Sequence, residues 1–203
     1  MMTHYIFKEG KANLAPVLLL HGTGGDEHQL VTLAELIAPG HPILSIRGRI
    51  SEGGMNRYFR LKAPGFRQEN FDLVSLAIES DWLAEEIKRL SEKHQLDSHH
   101  FIAIGYSNGA NMTLNMALNG KFSFSKMIAF HPMQIAKIEQ ADVVKTDFFL
   151  TNDPADPIVP RVWFDALVAD IKQAGCQPEI FKSSYGHQLT EDEVNAAKNW
   201  LNQ

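Results

Sequence analysis

Cysteine is nearly missing from this sequence. Cys176 is the single one in 203 residues, so no disulfide can form within the chain and a reducing compartment is the expectation. Long apolar runs are missing too; no segment approaches the roughly 20 residues that a membrane-spanning helix needs. The start, Met1-Met2-Thr3-His4-Tyr5, has no basic stretch ahead of an apolar one, so no signal peptide is expected. Nor is there an excess of positive charge: the formal net charge of -5 leaves no basic footprint for nucleic acid or an anionic membrane. Neither G-x-x-x-x-G-K-[ST] nor G-x-G-x-x-G occurs, which sets aside a nucleotide site. With 44% hydrophobic and 21% charged residues, the composition is that of an ordinary globular protein. The expectation is one cytoplasmic domain over residues 1–203, without nucleic-acid or membrane partners.

The pattern along the chain is alternation. Val17-Leu18-Leu19-Leu20 is a short, wholly apolar run, as in a strand buried on both faces. Helical periodicity follows from about Asp26 to Ala38 and stops at Pro39-Gly40. Pro42–Ile46 reads as a strand, and Arg47 to about Asn70 as a Gly- and Arg-rich loop. Ser80–His94 reads as an amphipathic helix, Phe101–Ile104 as a strand, and Ala110–Leu118 as a helix. Strands are predicted at Lys126–Phe130, Phe148–Thr151 and Pro178–Lys182, with helices around Arg161–Ala174 and Thr190–Leu201. Such alternation predicts parallel βαβ units: an α/β fold with a mostly parallel twisted sheet and helices on both faces. Working groups in such sheets gather at the carboxyl ends of the strands.

The chemistry-bearing segments do follow predicted strands. Gly105-Tyr106-Ser107-Asn108-Gly109 is a G-x-S-x-G set between a strand and a helix, the context of a nucleophile elbow. A serine at so sharp a turn takes strained backbone angles and needs small neighbours for strand and helix to pack closely. Its hydroxyl needs a base, and the base needs a partner that fixes its tautomer. His187, on a polar glycine-containing loop after the last strand, is the candidate base. The acid comes from the Thr151–Pro160 loop, where Asp153 and Asp156 compete. The order Ser, Asp, His is that of α/β-hydrolases. Among the other histidines, His4, His28, His41 and His94 read as surface, and His99-His100 as a turn at the wrong end of the sheet. His131 follows a strand, where it either lines the site or is an ordinary loop residue. An oxyanion hole needs two backbone N–H groups. Asn108, directly after the serine, should supply one, and Thr23, in the glycine-rich turn Leu20–Asp26, the other.

These residues resemble those of small α/β-hydrolases of the carboxylesterase, phospholipase and acyl-protein thioesterase group. The chain is most similar to the bacterial esterases encoded beside hydroquinone-type ring-cleavage dioxygenases. Four segments carry the match: Leu20–Glu27, Gly105–Gly109, Asp156-Pro157-Ile158-Val159-Pro160 and Gly186–Thr190. A fifth, Arg47-Gly48-Arg49 through Glu52 to Arg57-Tyr58-Phe59-Arg60, resembles the arginine-and-aromatic loop of the bacterial branch. The resemblance implies Ser107 as nucleophile, His187 as base and Asp156, which precedes a P-x-V-P turn, as its partner. It also implies Thr23 and Asn108 at the oxyanion hole, no large lid domain, no metal or other cofactor, and a homodimer. One departure is Thr151-Asn152-Asp153, where many relatives carry a His-Gly or Gly-Thr pair.

The implied activity is a serine hydrolase cleaving carboxylic esters, or thioesters, of small or medium acyl groups through an acyl-enzyme. A different class, a non-catalytic hydrolase-like module that binds or senses a small ligand, is the alternative; such modules typically lose a triad member. Dienelactone hydrolases carry cysteine at the elbow, and lipases a hydrophobic lid, neither of which is present. For the substrate, Arg47, Arg49, Arg57 and Arg60 would place a cation near the site, suited to an acyl chain bearing a carboxylate or a polar ring-cleavage product, unless they are solvated or pair with Glu52. Phe59, Phe66, Phe71, His131 and Met133 would wall an acyl pocket, or simply pack.

Overall fold

The structure, a computed structural model, describes residues 3–138 and 145–203. Met1 and Met2, where the reading for a signal began, lie outside the described residues. Nine strands are described: β1 (Tyr5–Lys8), β2 (Val17–Leu20), β3 (Ile43–Ile46), β4 (Ile50–Glu52), β5 (Met55–Arg57), β6 (Ile102–Tyr106), β7 (Lys126–Phe130), β8 (Asp147–Asn152) and β9 (Glu179–Lys182). The α-helices are α1 (Val31–Ile37), α2 (Leu73–His94), α3 (Asn108–Leu118), α4 (Arg161–Gln173) and α5 (Glu191–Leu201). Seven strands form one sheet in the order β1-β3-β2-β6-β7-β8-β9. All pairings are parallel except that of β1, which runs antiparallel along β3.

Strand side chains alternate between two apolar layers, as the period of two requires. Leu18, Leu20, Ala103, Met127, Ala129, Phe148 and Leu150 face the layer packed by Leu83 and Ile87 of α2, Met112 of α3 and Leu167 of α4. Val17, Leu19, Ile102, Ile104, Ile128, Phe130 and Phe149 face the layer closed by Ala34 and Ile37 of α1 and Ala197 and Trp200 of α5. This is an α/β-hydrolase arrangement: a mostly parallel sheet, helices on both faces, no lid domain among the described residues.

Several boundaries differ from the sequence reading. β1 escapes it because a half-buried edge strand has a weak apolar signal; only pairing with β3 reveals it. The Arg47–Asn70 stretch holds a hairpin, β4–β5, turned by Gly53 and Gly54 at φ 58° and 79°. The helix expected from Asp26 starts only at Val31. The residues before it are occupied otherwise: Asp26 Oδ1 accepts the His28 amide, and Gln29 Oε1 accepts the Gly22 amide. Conversely α2 starts seven residues earlier than Ser80, at an Asp72 cap whose carboxylate accepts the Val74 and Ser75 amides. Exposed Leu73, Val74 and Ile78 had blurred its polar face.

The two elbow glycines have steric tasks. A Cβ on Gly105 would sit 2.6 Å from Ala110 Cα, and one on Gly109 would sit 2.1 Å from the Leu20 carbonyl oxygen. The first absence lets β6 turn directly into α3; the second lets α3 press against the turn that follows β2. Gly109→Ala is therefore expected to lower unfolding free energy by about 1–3 kcal/mol through overpacking against backbone. An unchanged urea midpoint in the variant would contradict this packing account.

Candidate active site

The site forms where β6, β7, β8 and β9 end. Ser107, directly after β6, has φ 49° and ψ −111°, in the left-handed half of the map that a residue with a Cβ avoids. Its amide donates to the Phe130 carbonyl at 2.9 Å and its carbonyl accepts the Asn111 amide at 2.9 Å, so flanking bonds fix the strained turn. His187, in the loop after β9, places Nε2 2.9 Å from Ser107 Oγ and Nδ1 2.7 Å from Asp156 Oδ2. Three groups separated by 31 and 80 residues thus stand in line, each within hydrogen-bond reach of the next.

Asp156, not Asp153, faces His187. Asp156 Oδ1 is taken up by the amides of Ile158 at 2.7 Å and Val159 at 3.1 Å, which aims Oδ2 at the imidazole. Asp153 holds the other side of the site: Oδ1 accepts the Ala155 amide, and Oδ2 accepts the Gly186 amide at 2.6 Å, next to His187. Tyr106 completes the clamp by donating its hydroxyl to the His187 carbonyl at 2.6 Å. Burial would raise the Asp156 pKa, but contacts with His131 and His187 and the Ile158 amide outweigh it. The carboxyl is held well below its usual range.

The turn after β2 is braced from below. His21 Nδ1 contacts the Gly22 carbonyl at 2.7 Å, and its Nε2 accepts the Gly48 amide at 3.0 Å, which makes it a neutral imidazole protonated at Nδ1. Burial favours that neutral form. The buried Tyr58 hydroxyl accepts the His21 amide and donates to the Ile46 carbonyl. Asn108 opens α3, so its amide has no acceptor within the helix. Its side-chain Oδ1 is engaged separately, by the Tyr58 amide. The Thr23 amide has no hydrogen-bond partner among the described residues, while Thr23 Oγ1 accepts from Arg57 Nη1 at 2.9 Å.

Of the residues expected to contact substrate, Arg57, Phe59, His131 and Met133 are buried and Arg60 is not. Arg57 is 2% exposed; its Nε donates to the Phe59 carbonyl, and Glu52 lies 3.6 Å away. Desolvation lowers its pKa, and Glu52 acts in the opposite direction. Arg60 is exposed. Phe59 is fully buried, with its ring edge-on to Phe71, and Met133 lies within the core. Arg47 and Arg49 are committed to Glu27 and Glu79. His131 packs against His187, with ring centroids 5.2 Å apart. It is fully buried, with Nδ1 3.4 Å from Asp156 Oδ2 and Nε2 2.9 Å from Glu193 Oε1. Glu193, Tyr106 and His21 went unnoticed as site residues. Glu193 reads as the acid of the Thr190 capping box, which it also is.

His131, Asp156 and His187 bring three donor atoms within 4.8 Å of one another, a set with metal-ligand chemistry. The 2.7 Å contact, however, commits His187 Nδ1 to Asp156 and leaves Nε2 for the serine, the arrangement of a proton relay. A cavity of about 740 Å³ lies at the opposite end of the sheet, beside Pro16, Pro42 and His100, far from this chemistry.

Burial would lower the His131 pKa, but Asp156 and Glu193 outweigh it and raise it from 6.5 to about 9. A group raised on folding stabilises fully below its unfolded value and loses that contribution as pH climbs through its folded value. The thermal midpoint should therefore fall between about pH 6.5 and 9, and His131→Gln should lack that part of the fall. A midpoint equally pH-dependent in both proteins would contradict the buried ion pairs.

No protein-family model matches the chain. Over 197 residues it is 32% identical to a protein of Bacillus subtilis (strain 168) named "Putative hydrolase MhqD", covering 97% of this chain and 96% of that one. The structure of YahD with malic acid superposes at TM-score 0.95 and 59% identity, over 99% of this chain and 98% of that chain. The Bacillus cereus carboxylesterase superposes at TM-score 0.92 and 30% identity, over 99% and 94%.

Proposed function

The chain belongs to the carboxylesterase family of α/β-hydrolases that includes MhqD, and on that premise we propose that it cleaves small carboxylic esters through Ser107, His187 and Asp156. The observation that carries the reading is the single imidazole held between Ser107 Oγ and a buried carboxylate, at 2.9 and 2.7 Å. A serine hydroxyl positioned on a strained elbow, with a base aligned by a fixed acid, is what acyl transfer requires.

In the proposed cycle His187 Nε2 takes the Ser107 proton as Oγ attacks the ester carbonyl carbon. The carbonyl oxygen gains the negative charge, and the amides of Thr23 and Asn108 stabilise it. Asp156 stays ionised and stabilises the His187 imidazolium. His187 then protonates the departing alkoxide, or thiolate in a thioester, and leaves an acyl-Ser107. Water, deprotonated by His187, releases the acid and restores the serine. Protein groups and water supply every step.

Arg57 supports a finer reading, an acyl group bearing a carboxylate. Its Nη2 has no hydrogen-bond partner among the described residues, while Nη1 is tied to Thr23, the residue proposed to donate to the oxyanion. A buried guanidinium with donors to spare is a strong carboxylate anchor. The solved structure of YahD carries malic acid, a hydroxy-dicarboxylate, which supports the same class. The proposal includes a cytoplasmic setting and a single domain over residues 1–203, as composition and length suggest, and a homodimer, as the family resemblance implies.

Ser107→Ala and His187→Ala are each expected to reduce kcat on p-nitrophenyl acetate by about 10^4-fold or more, in folded protein. Near wild-type turnover by either variant would refute the assignment. No turnover by the wild type would favour a binding module instead. Arg57→Gln should raise KM for a monoester of a dicarboxylic acid by about tenfold while sparing a neutral ester of equal length. Equal effects on both would remove the carboxylate anchor.

A further inference from the structure

Ser107 and His131 occupy corresponding places on neighbouring strands. Tyr106 pairs with Phe130 at the ends of β6 and β7, and each strand's next residue turns into the left-handed region, Ser107 at φ 49° and His131 at φ 51°. Such backbone is unfavourable for any residue with a Cβ, so a second case beside the nucleophile points to a task for His131. Its own amide donates to Thr151 Oγ1 at 3.3 Å, which fixes the turn.

The ring is enclosed by acid on both sides. Nδ1 faces Asp156 Oδ2 and Nε2 faces Glu193 Oε1, and all three side chains are fully buried. These contacts are ion pairs rather than well-aligned hydrogen bonds. The second Glu193 oxygen is taken by the Thr190 amide at 3.0 Å and hydroxyl at 2.8 Å, so α5 holds the carboxylate in place. A neutral imidazole has one N–H, and its other nitrogen would turn a lone pair toward a carboxylate oxygen. Only the imidazolium offers a proton to each side. Two buried carboxylates without a cation between them would also carry a large desolvation cost. With the imidazolium present, the buried cluster of Asp156, His131 and Glu193 bears one net negative charge. That is the amount a protonated His187 neutralises during the reaction.

We propose that His131 is a positioning residue, a buried imidazolium that clamps Asp156 against His187, tethers it to α5 through Glu193, and sets the pH range in which His187 serves as base. The proposal rests on the reading of Ser107, His187 and Asp156 as the reacting line. Its positive charge lies close to His187, with ring centroids 5.2 Å apart, and so opposes protonation of that ring. Other groups around the pair are already committed. Tyr106, from β6, meets both rings and gives its hydroxyl to the His187 carbonyl; Asp153, from the loop after β8, accepts the Gly186 and Ala155 amides. Among the described residues, Asp156 and Glu193 are the acids paired with His131.

The test is the pH dependence of kcat/KM for p-nitrophenyl acetate in wild type and His131→Gln, with folding checked by circular dichroism. Removing the cation should move the acid limb to higher pH by about one unit, since charges this close interact strongly in a partly buried site. A purely structural role would lower the rate at every pH and leave the limb in place, which would overturn the proposal. If His131→Gln does not fold, ¹⁵N-histidine NMR of the wild-type protein and of Ser107→Ala decides. Both ring nitrogens of His131 should carry protons at pH 7, and a neutral ring would overturn the proposal. Ser107→Ala separates the two claims. Retained turnover would sink the serine-hydrolase reading, whereas the NMR reports the charge of His131 whatever the turnover.

Discussion

One buried carboxylate, that of Asp156, ties the working end of this molecule together. One oxygen is consumed by two amides of its own loop, and the other meets His187 and His131. Through those contacts the loop after β8 is joined to the loop after β9, to the end of β7 and, by way of Glu193, to α5. The two loops among these segments are polar and turn-rich, and would have little reason to hold one conformation alone. The sheet supplies a rigid base, since its strands are buried in two apolar layers. What it supports is an electrostatic cluster whose members are individually costly to bury and are compensated only by one another.

On the other side of Ser107 the logic is steric. Without side chains at Gly105 and Gly109, α3 lies close against β6 and the turn after β2. That turn is in turn held by His21, Tyr58 and Gln29, none of which contacts the serine itself. The β4–β5 hairpin brings Arg57 to Thr23. A cation therefore sits beside the proposed oxyanion donors, and a net negative cluster sits behind the base. This polarity suits a reaction in which negative charge develops on one side of the serine and positive charge on the other.

Much of this was legible because the signals are local. The G-x-S-x-G turn, the glycine-rich turn, the Asp156-Pro157 turn and Gly186-His187 each declare themselves within five residues, and the apolar runs of β2, β6 and β7 read as buried strands. The rest depends on partners distant in sequence. β1 is an edge strand that β3 defines, and β4 and β5 are three residues each, too short for a period to show. Asp153 and Asp156 share one loop; the P-x-V-P turn favoured Asp156 through the family resemblance, and the fold separates the two by what each meets, His187 for Asp156 and the Gly186 amide for Asp153. His131 and Glu193 lie 62 positions apart and carry no shared motif, so only the folded chain pairs them. Whether Arg57 turns to the site, to solvent or to Glu52 stays open in the sequence because nothing local says that Phe59 and Phe66 lie against it.

Everything proposed for this site requires Ser107 to be an activated nucleophile. Incubating the folded protein with an organophosphonate ester and mapping the adduct by peptide mass spectrometry tests it most directly. One phosphonyl group per chain is expected, on the peptide carrying Ser107, formed faster above the acid limb than below it. A folded protein that stays unlabelled, or is labelled elsewhere with Ser107 untouched, would contradict it.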